Sequence, residues 1–167
     1  MAFNVLFRCT ANSSRSIMAE TITNQLGRGR LRAYSAGSEP AEQVNPLAIE
    51  LLQKIGFETD ALYPKSWEEF ATDDAPEMDF IISLCDRAAG EACPAWPGHP
   101  ITAHWSVPDP ASASDDREHS RKAFQLVLQI LQQRISLMLA LRLEALDRLA
   151  MQTRLQQLGM PPIDQSA

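Results

Sequence analysis

Three cysteines, three histidines and seven glycines are all that this 167-residue chain contains of those types, and it has no apolar run near the ~18 residues that a membrane helix needs. No bilayer span is expected. Neither G-x-x-x-x-G-K-[ST] nor G-x-G-x-x-G occurs, which excludes a nucleotide phosphate loop and a dinucleotide fingerprint. Basic residues are also in the minority, 15 against 21 acidic, for a net charge of −6. A clustered cationic surface for nucleic acid is therefore not expected. The start, Met1-Ala2-Phe3-Asn4, lacks the basic stretch, apolar stretch and small-residue cleavage site of a secretory signal, so a cytoplasmic location is the expectation.

Cysteine scarcity narrows the chemistry further. Cys9, Cys85 and Cys93 cannot all pair within the chain, and a reducing compartment disfavours permanent disulfides. They are buried hydrophobes, metal ligands or reactive thiols. No C-x-x-C or H-x-x-x-H spacing is present, and His99, His104 and His119 fall in loop or helix-start contexts, so no metal site is assigned.

What the chain does have is an alternation of strand and helix patterns. Apolar runs at Phe3–Arg8, Leu31–Ser35, Met78–Leu84 and Ile101–Trp105 read as buried strands. Helices are expected from Ser16 to Leu26, where Met18, Ile22 and Leu26 recur every four residues, and from Pro46, with proline at its start and Gly56 past its end. Others are expected at Trp67–Phe70, from Asp115 to Leu139 and from Leu143 to Leu158. Alternating strands and helices imply an α/β domain, a four-stranded parallel sheet with helices on both faces plus an extra C-terminal helix. The expected division is a body, residues 1–140, and a leucine-rich helical extension, residues 141–167, packing on it. Ligands of such open sheets collect beyond the carboxyl ends of the strands. Cys9, Cys85 and Asp109 each follow an expected strand and can meet there.

The stretch Cys9-Thr10-Ala11-Asn12-Ser13-Ser14-Arg15-Ser16 joins the first strand to the first helix. Such a loop aims backbone N–H groups at one point, and the helix dipole adds partial positive charge. Its small residues permit close approach of a tetrahedral oxyanion, and Arg15 can offer a bidentate fork to two of its oxygens. Thr10, Ala11, Asn12, Ser13, Ser14, Arg15 and Ser16 are the candidate oxyanion-binding residues. The same field favours a thiolate, so Cys9 is expected to be nucleophilic at neutral pH.

These residues resemble the C-x5-R-S signature of low-molecular-weight protein tyrosine phosphatases and of the thioredoxin-coupled arsenate reductases that share their fold. The match includes Asn12 and Ser16, Tyr34-Ser35-Ala36-Gly37, and His104-Trp105-Ser106-Val107-Pro108-Asp109-Pro110, and covers roughly residues 3 to 140. One departure is Ala11, where glycine is usual; a positive φ there would be strained, and none is expected.

The resemblance implies two activities. As a phosphatase, Cys9 would attack phosphorus, Arg15 would stabilise the equatorial oxygens and Asp109 would protonate the leaving group. Phosphotyrosine enzymes carry aromatic residues just after the aspartate-proline pair, whereas this chain has Ala111-Ser112-Ala113. As an arsenate reductase, Cys9 would form a thiol–arsenate adduct, Cys85 would attack its sulfur to release arsenite, and Cys93 would move the disulfide to the surface by thiol–disulfide exchange. Thioredoxin, or glutathione or mycothiol with a glutaredoxin-type partner, would then supply electrons, with no tightly bound cofactor. Arsenate reduction, in arsenic detoxification, is the leading expectation. A phosphomonoester phosphatase and a non-catalytic oxyanion-binding or redox-sensing module are the alternatives. Arg87 is expected to help activate a thiol, and Asn12 and Ser35 to brace the anion loop; in related reductases equivalent positions help hold a potassium ion.

Overall fold

The computed structural model describes residues 2–90, 95–112 and 116–160. Four parallel strands form one sheet, β1 (Phe3–Cys9), β2 (Leu31–Gly37), β3 (Phe80–Ser83) and β4 (Ile101–His104), in the order β2-β1-β3-β4. Five α-helices accompany them: α1 (Arg15–Gly27), α2 (Pro46–Lys54), α3 (Asp86–Gly90), α4 (Arg117–Ala140) and α5 (Arg148–Leu158). The expected α/β architecture is the one found.

The two faces of the sheet are covered unequally. Because side chains alternate along a strand, Val5 and Phe7 of β1, Phe80 and Ile82 of β3 and Ile101 and Ala103 of β4 share one face. There they pack on Met18 and Ile22 of α1, Leu52 of α2, and Phe124, Leu131 and Ile135 of α4. Leu6 and Ile81 face the other way into a smaller cluster with Phe70 and Met78, flanked by Trp67 and Trp96. Burial of apolar surface at roughly 25 cal/mol per Å² makes the first face the main source of stability.

Local chemistry sets the helix ends. Asn45 Oδ1 accepts from Leu47 N at 2.9 Å and Pro46 opens α2, while Asp116 Oδ1 accepts from Glu118 N at 3.0 Å to start α4. The C-terminal segment differs from the expected single helix over Leu143–Leu158. A 3₁₀ turn covers Leu143–Ala145, and α5 begins at Arg148 because Asp147 Oδ1 caps Ala150 N at 2.8 Å. Leu143 and Leu155 are buried, but Leu149, part of the same leucine stripe, is 75% exposed. The helix is clamped to β4 where Trp105 Nε1 donates to the Leu155 carbonyl at 2.8 Å. Gly159 follows; a Cβ there would lie 2.4 Å from the His104 carbonyl oxygen. Similarly, Leu26 of α1, on the expected apolar stripe, is 44% exposed.

The chain leaves β1 for β2 on one side and returns to β3 on the other, so the crevice beyond the carboxyl ends of β1 and β3 is the topological switch point. Cys9 ends β1 and Cys85 lies just past β3.

Candidate active site

A cavity of about 470 Å³ opens at this switch point, lined by Cys9, Ala11, Ser13, Ser14 and Arg15 on one side and by Cys85, Asp86, Arg87 and Asp109 on the other. Thr10 and Ala111 complete the wall. Ser14 stands at the N-cap of α1 with no side-chain cap bond, so the first N–H groups of the helix are not taken up by their own cap. The loop backbone is belted from outside: Glu39 N donates to the Thr10 carbonyl (3.0 Å), Ala41 N to Ala11 (2.9 Å) and Asn45 N to Ser13 (2.8 Å). Gly37, at the end of β2, allows this close approach, since a Cβ there would sit 2.3 Å from the Thr10 carbonyl oxygen.

Asn12 and Ser16 do not line the cavity. Both are fully buried, and Asn12 Nδ2 donates to Ser16 Oγ at 2.7 Å while Asn12 Oδ1 accepts from Lys65 N at 2.8 Å. The left-handed turn of the loop falls at Asn12 (φ 49°), a residue that tolerates it, and not at Ala11. Alanine in place of glycine therefore brings no strain.

Ser35 does not touch the anion loop. Its Oγ donates to Glu20 Oε2 at 2.7 Å, and Glu20 faces the buried Lys65 ammonium at 3.8 Å. Burial pushes the Glu20 carboxyl up and the Lys65 ammonium down, and each opposes the other's shift by its charge. Lys65 Nζ also donates to the Tyr63 carbonyl at 2.9 Å and lies 4.6 Å from that ring's centroid. These residues do not fit a potassium ion, because the tethered ammonium already neutralises the one carboxylate there. Among the described residues no group of three or more His, Cys, Asp or Glu is placed to hold a metal.

The two described thiols cluster with Ala88 at the cavity floor, both buried and unbridged. Cys85 Sγ also accepts from Ala88 N at 3.3 Å and meets Thr10 Oγ1 at 3.7 Å. The bond from Cys9, aided by Ala88 N–H, Thr10 and the Arg15 charge, pulls the Cys85 thiol from 9.0 down to about 5. Cys9 is pushed up, first by its bond to Cys85 and then by burial, against the pull of Arg15. The two sulfurs are coupled: Arg15 favours a thiolate on either, Ala88 N–H and Thr10 favour it on Cys85, and burial opposes it on Cys9. Arg15 adds its charge to the pull on Cys85, and the Arg87 guanidinium pairs with Glu39 at 3.4 Å at the exposed rim.

Arg15 Nη1 donates to the Val107 carbonyl at 3.0 Å. That bond ties the anion loop to the segment carrying Asp109, whose Oδ1 accepts from Ala111 N at 3.0 Å. Cys93 lies outside the described residues.

Asp86 is a second carboxylate on the cavity wall that sequence reasoning missed. Its Oδ1 meets His104 Nε2 at 2.9 Å and accepts from Ser106 Oγ at 3.0 Å, and the bond from His104, then that from Ser106, holds its carboxyl below the usual range. The His104-Trp105-Ser106 run, with polar residues two apart beside a buried tryptophan, was the available signal.

The cradle, the paired thiols and the late aspartate define a phosphatase-like P-loop site, and the comparisons place it. The model of the low molecular weight phosphotyrosine protein phosphatase family matches residues 4–151, and the chain belongs to that family. Within it, the chain is 33% identical over 123 residues to an arsenate reductase of Shouchella clausii, covering 74% of this chain and 85% of that one. It is 34% identical over 110 residues to a glutaredoxin arsenate reductase of a Synechocystis species, covering 66% of this chain and 80% of the relative. Among solved structures it is similar to a thioredoxin-dependent arsenate reductase of Corynebacterium glutamicum, with a TM-score of 0.60 at 27% identity over 81% of this chain; it spans only 59% of that protein.

Proposed function

We propose that this protein is an arsenate reductase working through a cysteine relay. One observation carries the reading: a second free thiol, Cys85, set against Cys9 on the floor of the same cradle. Hydrolysis of a phosphomonoester has no use for it, whereas a two-electron reduction requires it.

Arsenate enters the loop of Thr10–Ser16, its oxygens facing backbone N–H groups and the Arg15 fork. Cys9 sulfur attacks arsenic, and its proton leaves with one arsenate hydroxyl as water, Asp109 relaying it. Cys85 thiolate then attacks the Cys9 sulfur. The S–S bond forms, the S–As bond breaks, and its electron pair stays on arsenic, which departs as arsenite. The Cys9 proton thus leaves in the water, and Cys85 enters the disulfide as a thiolate. Cys93 attacks Cys85 in turn, freeing Cys9 and leaving a Cys85–Cys93 disulfide. The relatives named for thioredoxin and glutaredoxin support an external dithiol or thiol as the final reductant.

A phosphomonoester phosphatase is the second reading, favoured by Cys9, Arg15 and Asp109 sharing one cavity. No aromatic side chain lines that cavity among the described residues, which gives a phenol ring no wall to stack on. The deciding experiment supplies arsenate with thioredoxin, thioredoxin reductase and NADPH, and in parallel with glutathione–glutaredoxin and mycothiol systems. Arsenite formation is expected with at least one donor. No arsenite from any of them, together with brisk aryl phosphate hydrolysis, overturns the proposal in favour of the phosphatase.

A further inference from the structure

Arg8, the residue before Cys9, lies on the sheet face that holds Leu6 and Ile81, where an apolar side chain is expected. It is 5% exposed, and among the described residues no carboxylate pairs with it. A buried guanidinium without a counter-charge is costly, so the contacts it does make carry weight. Arg8 Nη2 donates to the Ala88 carbonyl, and its guanidinium carbon stands 5.2 Å from the centroid of the Trp67 ring; Nε has no partner. Trp67, edge-on to Trp96 at 6.4 Å, braces it from outside the sheet.

Ala88 is in the middle of the described part of α3, Asp86–Gly90. Its N–H is the one that donates to Cys85 Sγ at 3.3 Å, and its carbonyl is the one that Arg8 holds. One residue is thereby gripped from both ends, by the second thiol and by the neighbour of the first.

We infer that Arg8 is a positioning residue for Cys85: by pinning the Ala88 carbonyl to β1 it keeps α3 wound and the second sulfur against the first until the disulfide forms. The inference rests on the relay reading of Cys85. When Cys85 turns away from Cys9 toward the third thiol, the Ala88 carbonyl is released and Arg8 keeps only its stacking on Trp67.

The test uses the full chain with Arg8→Met, which keeps bulk, and Arg8→Lys, which restores a charged donor. Two rates are read: donor-free single-turnover release of arsenite, which needs Cys85, and aryl phosphate hydrolysis, which needs only Cys9, Arg15 and Asp109. Misplacing a reacting group by about 1 Å costs up to ~100-fold, so R8M is expected to slow arsenite release by at least about tenfold. Its aryl phosphate hydrolysis and its KM for arsenate should stay within about twofold, and R8K should recover most of the loss. Arsenite release by R8M at the wild-type rate overturns the inference. Equal loss of both activities does so too, since a merely structural role would damage the cradle as well. Should R8M not fold, R8Q is judged by the same two rates. Cys85→Ser runs alongside as the control for the underlying reading: release that survives C85S refutes the relay itself, while release lost in C85S and unchanged in R8M refutes only the role of Arg8.

Discussion

The loop after β1 and the segment after β3 begin alike, each with a cysteine delivered by a buried strand, yet they are held in opposite ways. Three backbone bonds from the β2–α2 connection belt the first, and Asn12 pins it from within at Ser16 and Lys65. The second, over its described residues Cys85–Gly90, is tied mainly by side chains: Arg8 to Ala88, Ala88 N to Cys85, and His104 with Ser106 to Asp86. Electrostatic stabilisation of an oxyanion demands donors that do not reorganise, whereas a thiol that must serve two partners needs a segment whose local unfolding is cheap. On the proposed relay, one crevice joins a rigid binder to a carrier that must move.

The widest separation of the two regions comes from their sulfurs. Cys9→Ala should abolish both arsenate reduction and aryl phosphate hydrolysis, by more than about 1,000-fold in kcat, because both begin at that nucleophile. Cys85→Ser should remove arsenite production to a similar degree while hydrolysis persists; parallel assays of one preparation check this, and loss of both would erase the proposed division of labour.

Stability provides the next comparison. Asn12→Ala removes two buried hydrogen bonds and places alanine at a left-handed position, and should lower the unfolding free energy by about 2–4 kcal/mol. Lys65→Met leaves the Glu20 carboxyl buried without its cation and should cost about 3 kcal/mol. Urea unfolding measures each, and substitutions of similar size on the exposed face of α3 should stay within about 0.5 kcal/mol.

A third comparison is the titration of the pair. Cys85 in the folded protein ionises near 5 against 9.0 ordinarily, so one thiolate, seen by its absorbance near 240 nm, should appear as pH rises through about 5. The sign follows for stability: a depressed thiol contributes nothing below about 5 and accumulates its contribution between there and 9.0. Wild-type unfolding free energy should therefore rise relative to C85S across that window. Cys9→Ala removes the principal bond to the Cys85 thiolate and should move the midpoint upward.

Much of the frame was legible in the chain. Four apolar runs at strand length, Pro46 and Gly56 around α2, and the strand–loop–helix stretch from Cys9 to Ser16 locate the sheet and cradle, because period and capping are local properties. Where the reading went astray, a distant partner decided. Ser35 turned to Glu20 and Lys65, and the last helix began only at the Asp147 cap. Arg8 gave no signal, since a lone arginine at the end of an apolar run reads as the strand reaching solvent.

By itself the sequence determined that a loop of small residues follows the first strand, with a thiol at its start and an arginine at the helix it opens. Small residues before a helix N-terminus and an arginine one turn on suffice for that. Only the tertiary structure brought the second sulfur to the first. The two thiols follow separate strands, and burial, Arg15 and the Ala88 N–H act on them as a pair only once the sheet sets those strand ends side by side.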